Sequence, residues 1–178
     1  MTIETLATKG FSKTHTGLAG LDTQRLKAMR NAGLQACFKR LEETHFRMEY
    51  TATVRGREYI NDAAARTVNS TWYSLESIQG GVIWIACGTT DDTDYSRLLP
   101  LTLRKVRMIL VLGNAARLKE SFAQVVPNIV ECTDMADALR KAYYYDSDNV
   151  KVLFSPSTGG VASTESLGEQ FRYEVNEL

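Results

Sequence analysis

The sequence predicts an α/β fold: a Rossmann-like, mostly parallel sheet flanked by helices, with an N-terminal helical extension and a β-hairpin. Three observations predict it. Apolar blocks at Val82–Ala86, Met108–Leu112, Asn128–Val130 and Val150–Phe154 recur about every 20 to 26 residues. Helical periodicity fills the intervals, as successive βα units require. The 178 residues, 44% hydrophobic and 24% charged, also carry enough apolar material for one sizeable core.

Taken in order, the first twenty residues hold Thr2, Thr5, Thr8, Thr14 and Thr16 with Gly10, Gly17 and Gly20, which reads as a loosely ordered arm. Leu26, Met29, Leu34, Cys37, Phe38 and Leu41 then follow a helical stripe that Gly33 interrupts, giving one broken helix or two short ones. Residues 1–37 are therefore assigned to an arm and helical extension, and 38–178 to the main domain. Phe46 to Val54 alternates weakly, Arg55-Gly56 supplies a turn and Glu58 to Asn61 resumes an extended pattern, the signature of a hairpin. Gly80-Gly81 reads as a helix stop. Pro100 fits the first turn of a helix starting near Leu99, after a short turn at Asp94–Arg97. Met135, Ala138, Leu139, Ala142 and Tyr143 form a helical stripe with Thr133 as the expected N-cap, and Leu167, Phe171 and Val175 space a closing helix from Thr164 to Leu178.

Composition excludes several functions. Lys+Arg and Asp+Glu both number 21, so no global basic field gathers nucleic acid or an anionic membrane. No apolar run approaches the roughly 18 residues that span a bilayer. Cys37, Cys87 and Cys132 form no CxxC pair and His15 and His45 stand far apart, so no metal site is read. The odd cysteine count and the lack of a charged-then-apolar leader place the protein in a reducing cytoplasm. Neither a Walker-type phosphate loop nor a G-x-G-x-x-G turn is present, so phosphates of ATP would have to be held by another domain or chain. No Ser-His-Asp or Cys-His arrangement stands out.

Cys87-Gly88 follows a strand and so could open a ligand crevice, because open α/β sheets bind ligands at the carboxyl ends of their strands. Asp91, Asp92 and Asp94 read as a solvated helix start rather than a Mg²⁺ site. Tyr143-Tyr144-Tyr145 reads as packing more than as a stacking surface.

The run Asn61-Asp62-Ala63-Ala64-Ala65-Arg66-Thr67-Val68-Asn69-Ser70-Thr71 resembles N-D-S-K-A-T-N-x-x-S-T, which opens the C-terminal domain of the Mur ligases, most closely the D-glutamate-adding type. Phe46-Arg47-Met48-Glu49 resembles the family's H-R-x-E, and Ile83-Trp84-Ile85-Ala86-Cys87-Gly88 through Asp94-Tyr95-Ser96 resembles I-x-G-G-x-D-K-G-x-D-Y-S. Val111-Leu112-Gly113 and Leu153-Phe154-Ser155-Pro156 resemble I-L-I-G and L-L-S-P. The likeness runs from about Phe38 to Leu178.

The resemblance implies a Rossmann-like ligase domain in peptidoglycan precursor synthesis, swinging over a central ATP-binding domain. ATP and Mg²⁺ are expected by resemblance alone, with no intrinsic cofactor and no metal. The resemblance assigns nucleotide contacts to Arg47, Asn61 and Asp62 and substrate contacts to Arg66 and Ser155. From the residues themselves, Arg47 reads equally as a hairpin ion-pair partner and Asp62 equally as a cap of the following helix. Departures from the pattern are as informative. Ala63-Ala64 stands where the family has Ser-Lys, and Arg66 where it has Thr, so an ammonium suited to phosphate or carboxylate is replaced by a methyl group. Thr90, Asp91 and Asp92 replace D-K-G, and Ser157 to Ala162 replaces A-C-A-S-F-D. The expectation is a catalytically degenerate domain, inactive by itself without the ATP- and UDP-binding domains. The alternative is a nucleotide-sensing or protein-docking module on the same fold, partnered by a Mur ligase or another protein.

Overall fold

A computed structural model describes residues 46–88, 92–158 and 164–178. The arm and helical extension assigned to residues 1–37, the histidines and Asp91 lie outside the described residues. Six strands form one sheet in the order β1-β2-β6-β3-β4-β5: β1 Glu49–Val54, β2 Arg57–Asn61, β3 Gly81–Cys87, β4 Val106–Leu112, β5 Ile129–Cys132 and β6 Val150–Phe154. β1 pairs with β2 antiparallel, and every other neighbouring pair is parallel. The helices are α1 Val68–Ser77, α2 Leu99–Lys105, α3 Ala116–Phe122, α4 Met135–Tyr143 and α5 Thr164–Asn176, with a 3₁₀ turn at Ser96–Leu98 before α2.

The expected strand blocks become β3 to β6, and the hairpin forms where the alternation placed it. Arg55 and Gly56 both take positive φ, 52° and 73°, the backbone of a two-residue turn whose twist matches that of the strands it joins. All seven residues of β3 are buried, because helices cover both faces of a central parallel strand. Ile83, Ile85 and Cys87 face one layer, packed with Phe154, Phe171 and the α4 stripe Met135, Ala138, Leu139 and Ala142. Val82, Trp84 and Ala86 face the other, packed with Leu75, Leu101, Leu118 and Phe122.

Helix ends account for the differences from expectation. Asp134, not Thr133, caps α4: its carboxylate accepts from the Asp137 amide at 2.8 Å. Asp134 stands directly before the helix with extended backbone, so its carboxylate reaches the first-turn donors, while Thr133 donates its amide to Asp137. Thr67 caps α1 in a reciprocal box with Ser70, its hydroxyl accepting from the Ser70 amide at 3.1 Å, so Asp62 is not a cap. α1 ends at Ser77, before Gly80-Gly81. Its last carbonyls, those of Leu75, Glu76 and Ile78, are instead taken by the Lys105 ammonium at 2.7–2.9 Å, a cation placed where the helix dipole favours one. Gly80, at φ 89°, turns the chain into β3.

Candidate active-site crevice

The connections after β3 run to β4 and β5 on one side, and the chain then returns to place β6 on the other. The strand order therefore reverses beside β3, and the carboxyl ends of β3 and β6 flank the switch point at which open α/β sheets bind ligands. Asn61 and Asp62 at the end of β2, Cys87-Gly88 after β3 and Ser155-Pro156 after β6 all converge there. Backbone bonds lock the convergence: the Asp62 amide donates to the Phe154 carbonyl at 2.8 Å, Ser155 to Ile85 at 3.0 Å and Cys87 to Pro156 at 3.3 Å.

Asp62 is the centre of a buried polar cluster. One carboxylate oxygen accepts from the Arg47 guanidinium at 2.8 Å and from the Met48 amide at 3.1 Å. The other accepts from the Ser74 hydroxyl of α1. The Asp62 side chain is fully buried and that of Arg47 is 18% exposed, so the two residues assigned to nucleotide pair with each other. Burial favours the neutral acid and outweighs the Ser74, Arg47 and Met48 bonds that favour the carboxylate, which pushes the Asp62 carboxyl up to about 6. With both oxygens taken, Asp62 in this arrangement does not fit a ribose. Asn61 is likewise buried and turned inward, its amide donating to the Gly168 carbonyl of α5 at 2.9 Å and its oxygen accepting from the Ala63 amide.

Ser155 is buried, its hydroxyl 2.8 Å from that of Thr71 and its carbonyl accepting from the Trp84 indole at 2.8 Å. It ties β6 to α1 and to the core. Arg66 stands exposed on the loop before α1. The structure thus brings Arg47, Asn61, Asp62 and Ser155 to one end of the sheet, and leaves the guanidinium of Arg47 at the margin of the buried cluster. Gly88 is fixed by close approach: a Cβ there would sit 2.0 Å from the Asn114 carbonyl oxygen, so the loops after β3 and β4 touch backbone to backbone.

Three residues not singled out from the sequence belong to the same end. Ser157 is buried with φ 61°, an uncommon conformation for a residue with a side chain, and is held by donation of its amide to the Ala65 carbonyl at 3.0 Å. The hydroxyls of Ser157 and Tyr95 are buried near each other, and burial raises the Tyr95 phenol by more than its contacts with Ser157 and Thr93 lower it. Thr71, which joins Ser155, is the third. A serine in a left-handed conformation carries no sequence signal, and Tyr95 was marked only by the D-Y-S likeness, which assigned it no role. Asp92 pairs with Arg117 at 2.8 Å and Asp94 accepts from the Ser96 amide at 2.9 Å. That bond lowers the Asp94 carboxyl and opens the 3₁₀ turn, the solvated helix start that was expected. No group of potential metal ligands occurs among the described residues.

A UDP-N-acetylmuramoylalanine–D-glutamate ligase of Porphyromonas gingivalis is 33% identical over 98% of this chain. The chain is homologous to part of the Mur ligases. A second D-glutamate ligase, from Christiangramia forsetii, is 29% identical over 97% of the chain. In both cases this Mur-ligase homologue spans about 40% of the relative's length. A solved domain from Haemophilus ducreyi, named as belonging to a UDP-N-acetylmuramate:L-alanyl-gamma-D-glutamyl-meso-diaminopimelate ligase, superposes with a TM-score of 0.50 at 9% identity, covering 71% of this chain and 98% of that one; it supports the α/β fold. No family model matches. Among the described residues no helix is long and apolar enough to cross a membrane.

At the positions that depart from the Mur pattern, Ala63 is buried against Phe46 and Gly168, a Cβ on Gly168 falling 2.9 Å from that of Ala63. Ala64 is half-buried and only its backbone amide is engaged, with the Phe46 carbonyl at 3.1 Å.

Proposed function

We propose that this chain is a ligase-type domain serving peptidoglycan precursor synthesis, which binds and positions within a larger D-glutamate-adding assembly and does not catalyse by itself. The observation that supports this most is the match to D-glutamate ligases along nearly the whole chain. The crevice gives it a physical outline: a switch-point end of the sheet with Arg47 at its margin and Tyr95 and Ser157 hydroxyls buried within. The family's ammonium is absent at Ala64, so carboxylate capture at that position has lost its charge partner. ATP and Mg²⁺ would be supplied by the assembly, the remainder of which would hold the phosphates while the Arg47 margin of this chain meets the nucleotide, and a cytoplasmic setting goes with that chemistry.

One observation favours a second reading, a protein-docking module on the same fold. Asp62 and Asn61 are fully buried and turned to internal partners, away from a nucleotide. The two readings separate by isothermal titration of the purified 178-residue chain with ADP, ATP and D-glutamate in turn, Mg²⁺ present. Saturable binding of any of the three that Arg47→Ala or Ser157→Ala weakens supports the ligase-type domain. Silence towards all three at millimolar ligand overturns it in favour of docking.

A further inference from the structure

The opposite end of the sheet carries a second feature. There the β1–β2 turn and the segment following α4 enclose a cavity of about 390 Å³, whose walls include Arg55, Tyr59, Tyr143, Tyr144, Asp146 and Asp148. Arg57 forms a wall too, but its guanidinium is committed: it donates to the carbonyls of Ala142, Tyr143, Tyr145 and Ser147 and so closes the C-terminus of α4.

The other charged groups of the cavity make no ion pair among the described residues. Tyr59 is fully buried beneath them, with the Arg57 guanidinium beside its hydroxyl. The Arg55 guanidinium rests on the Tyr143 ring, 4.6 Å from its centroid, and makes no ion pair among the described residues. Asp146 and Asp148 are exposed and likewise unpaired there. Tyr144 is 75% exposed and meets Tyr143 edge-on with centroids 5.0 Å apart. One cavity thus holds a cation in no ion pair among the described residues, carboxylates that do not neutralise it, and two tyrosine rings. A simple anion would face Asp146 and Asp148, and a simple cation would face Arg55 and Arg57; a ligand with both charges meets neither penalty.

We propose that this cavity binds a small zwitterion of the amino-acid class. Its carboxylate meets Arg55, its ammonium meets Asp146 and Asp148, and the rings of Tyr143 and Tyr144 flank an apolar or aromatic side chain. The site is independent of the crevice at the carboxyl ends, so its failure would leave the ligase-type reading untouched.

The test titrates the full chain with L-phenylalanine, phenethylamine and 3-phenylpropionate, followed by two-dimensional amide NMR. The proposal expects saturable shifts around residues 55–59 and 143–148 with L-phenylalanine, and at least about tenfold weaker binding of either singly charged analogue. Arg55→Gln, and Asp146→Asn with Asp148→Asn, should each weaken L-phenylalanine with unchanged melting temperature, while Asp62→Asn should leave its affinity unchanged. Equal affinity for either analogue, shifts elsewhere, or silence at about 10 mM of all three overturns it.

Discussion

Asp62 gives the most quantitative expectation. Its carboxyl is raised from 3.8 to about 6 by burial, so the folded chain holds this proton more tightly than the unfolded chain does. An acid raised on folding contributes stability that is complete below its unfolded value and lost as pH rises through its folded value. A rise of this size corresponds to about 3 kcal/mol in full, and about 2 kcal/mol of it falls between about pH 4.5 and 7.5. Asp94 and Asp137 act in the opposite sense, since hydrogen bonds lower both. The isolating measurement is therefore a difference: urea unfolding of the wild-type chain and of Asp62→Asn across that range. Asparagine keeps the shape and cannot titrate, so the stability difference, wild type minus variant, should fall by about 2 kcal/mol as pH rises. A flat difference, meaning balance, or one that climbs with pH, meaning that the ion pair dominates the site, refutes the idea that desolvation outweighs the Arg47 and Ser74 bonds.

Other expectations follow from single contacts. Gly88→Ala should be destabilising by more than about 3 kcal/mol, or insoluble, because its Cβ would meet Asn114 backbone atoms at 2.0–2.7 Å that cannot rotate away; a melting shift of a degree or less would contradict the close approach. Lys105→Met, which keeps the apolar stem and removes the three bonds to α1 carbonyls, should cost about 1–2 kcal/mol in chemical denaturation. Cys87, buried and with its thiol pushed up to about 12, should resist a thiol reagent at neutral pH until the chain unfolds, as peptide mass mapping of the label would show. Ala64→Lys should change stability by less than about 0.5 kcal/mol in the same denaturation assay, since the Ala64 side chain is half-buried and the engaged group is its backbone amide.

The sheet was legible because its central strands are buried on both faces. Residues such as Val82–Ala86 had to read as unbroken apolar runs, and the intervals between such runs had to hold helices. Helix α4 was equally plain, since its stripe lies on one core face, but its cap was not: Thr133 and Asp134 both suit the role, and the choice depends on which oxygen reaches the Asp137 amide. The strand order was hidden as well. Nothing in a run of apolar residues says that β6 inserts between β2 and β3, and that insertion is what carries Ser155 to Thr71 and Asp62 to the Phe154 carbonyl.

The site was legible by position and not by role. Resemblance picked out Arg47, Asn61, Asp62 and Ser155, and the fold does bring them to one end of the sheet; their partners, however, are Ser74, Gly168 and Thr71, which no local spacing links to them. Those partners explain a selective pattern of change. Asn61 and Asp62 keep the Mur residues because each closes bonds between elements, and removing either would leave buried groups unpaired. Ala63 is buried, and a Cβ on Gly168 would fall 2.9 Å from its methyl group, so the chain packs closely on α5 there. At Ala64 packing imposes no such limit. An alanine there in place of the family's lysine is thus not demanded by the fold, and it leaves that end of the sheet without the family's ammonium.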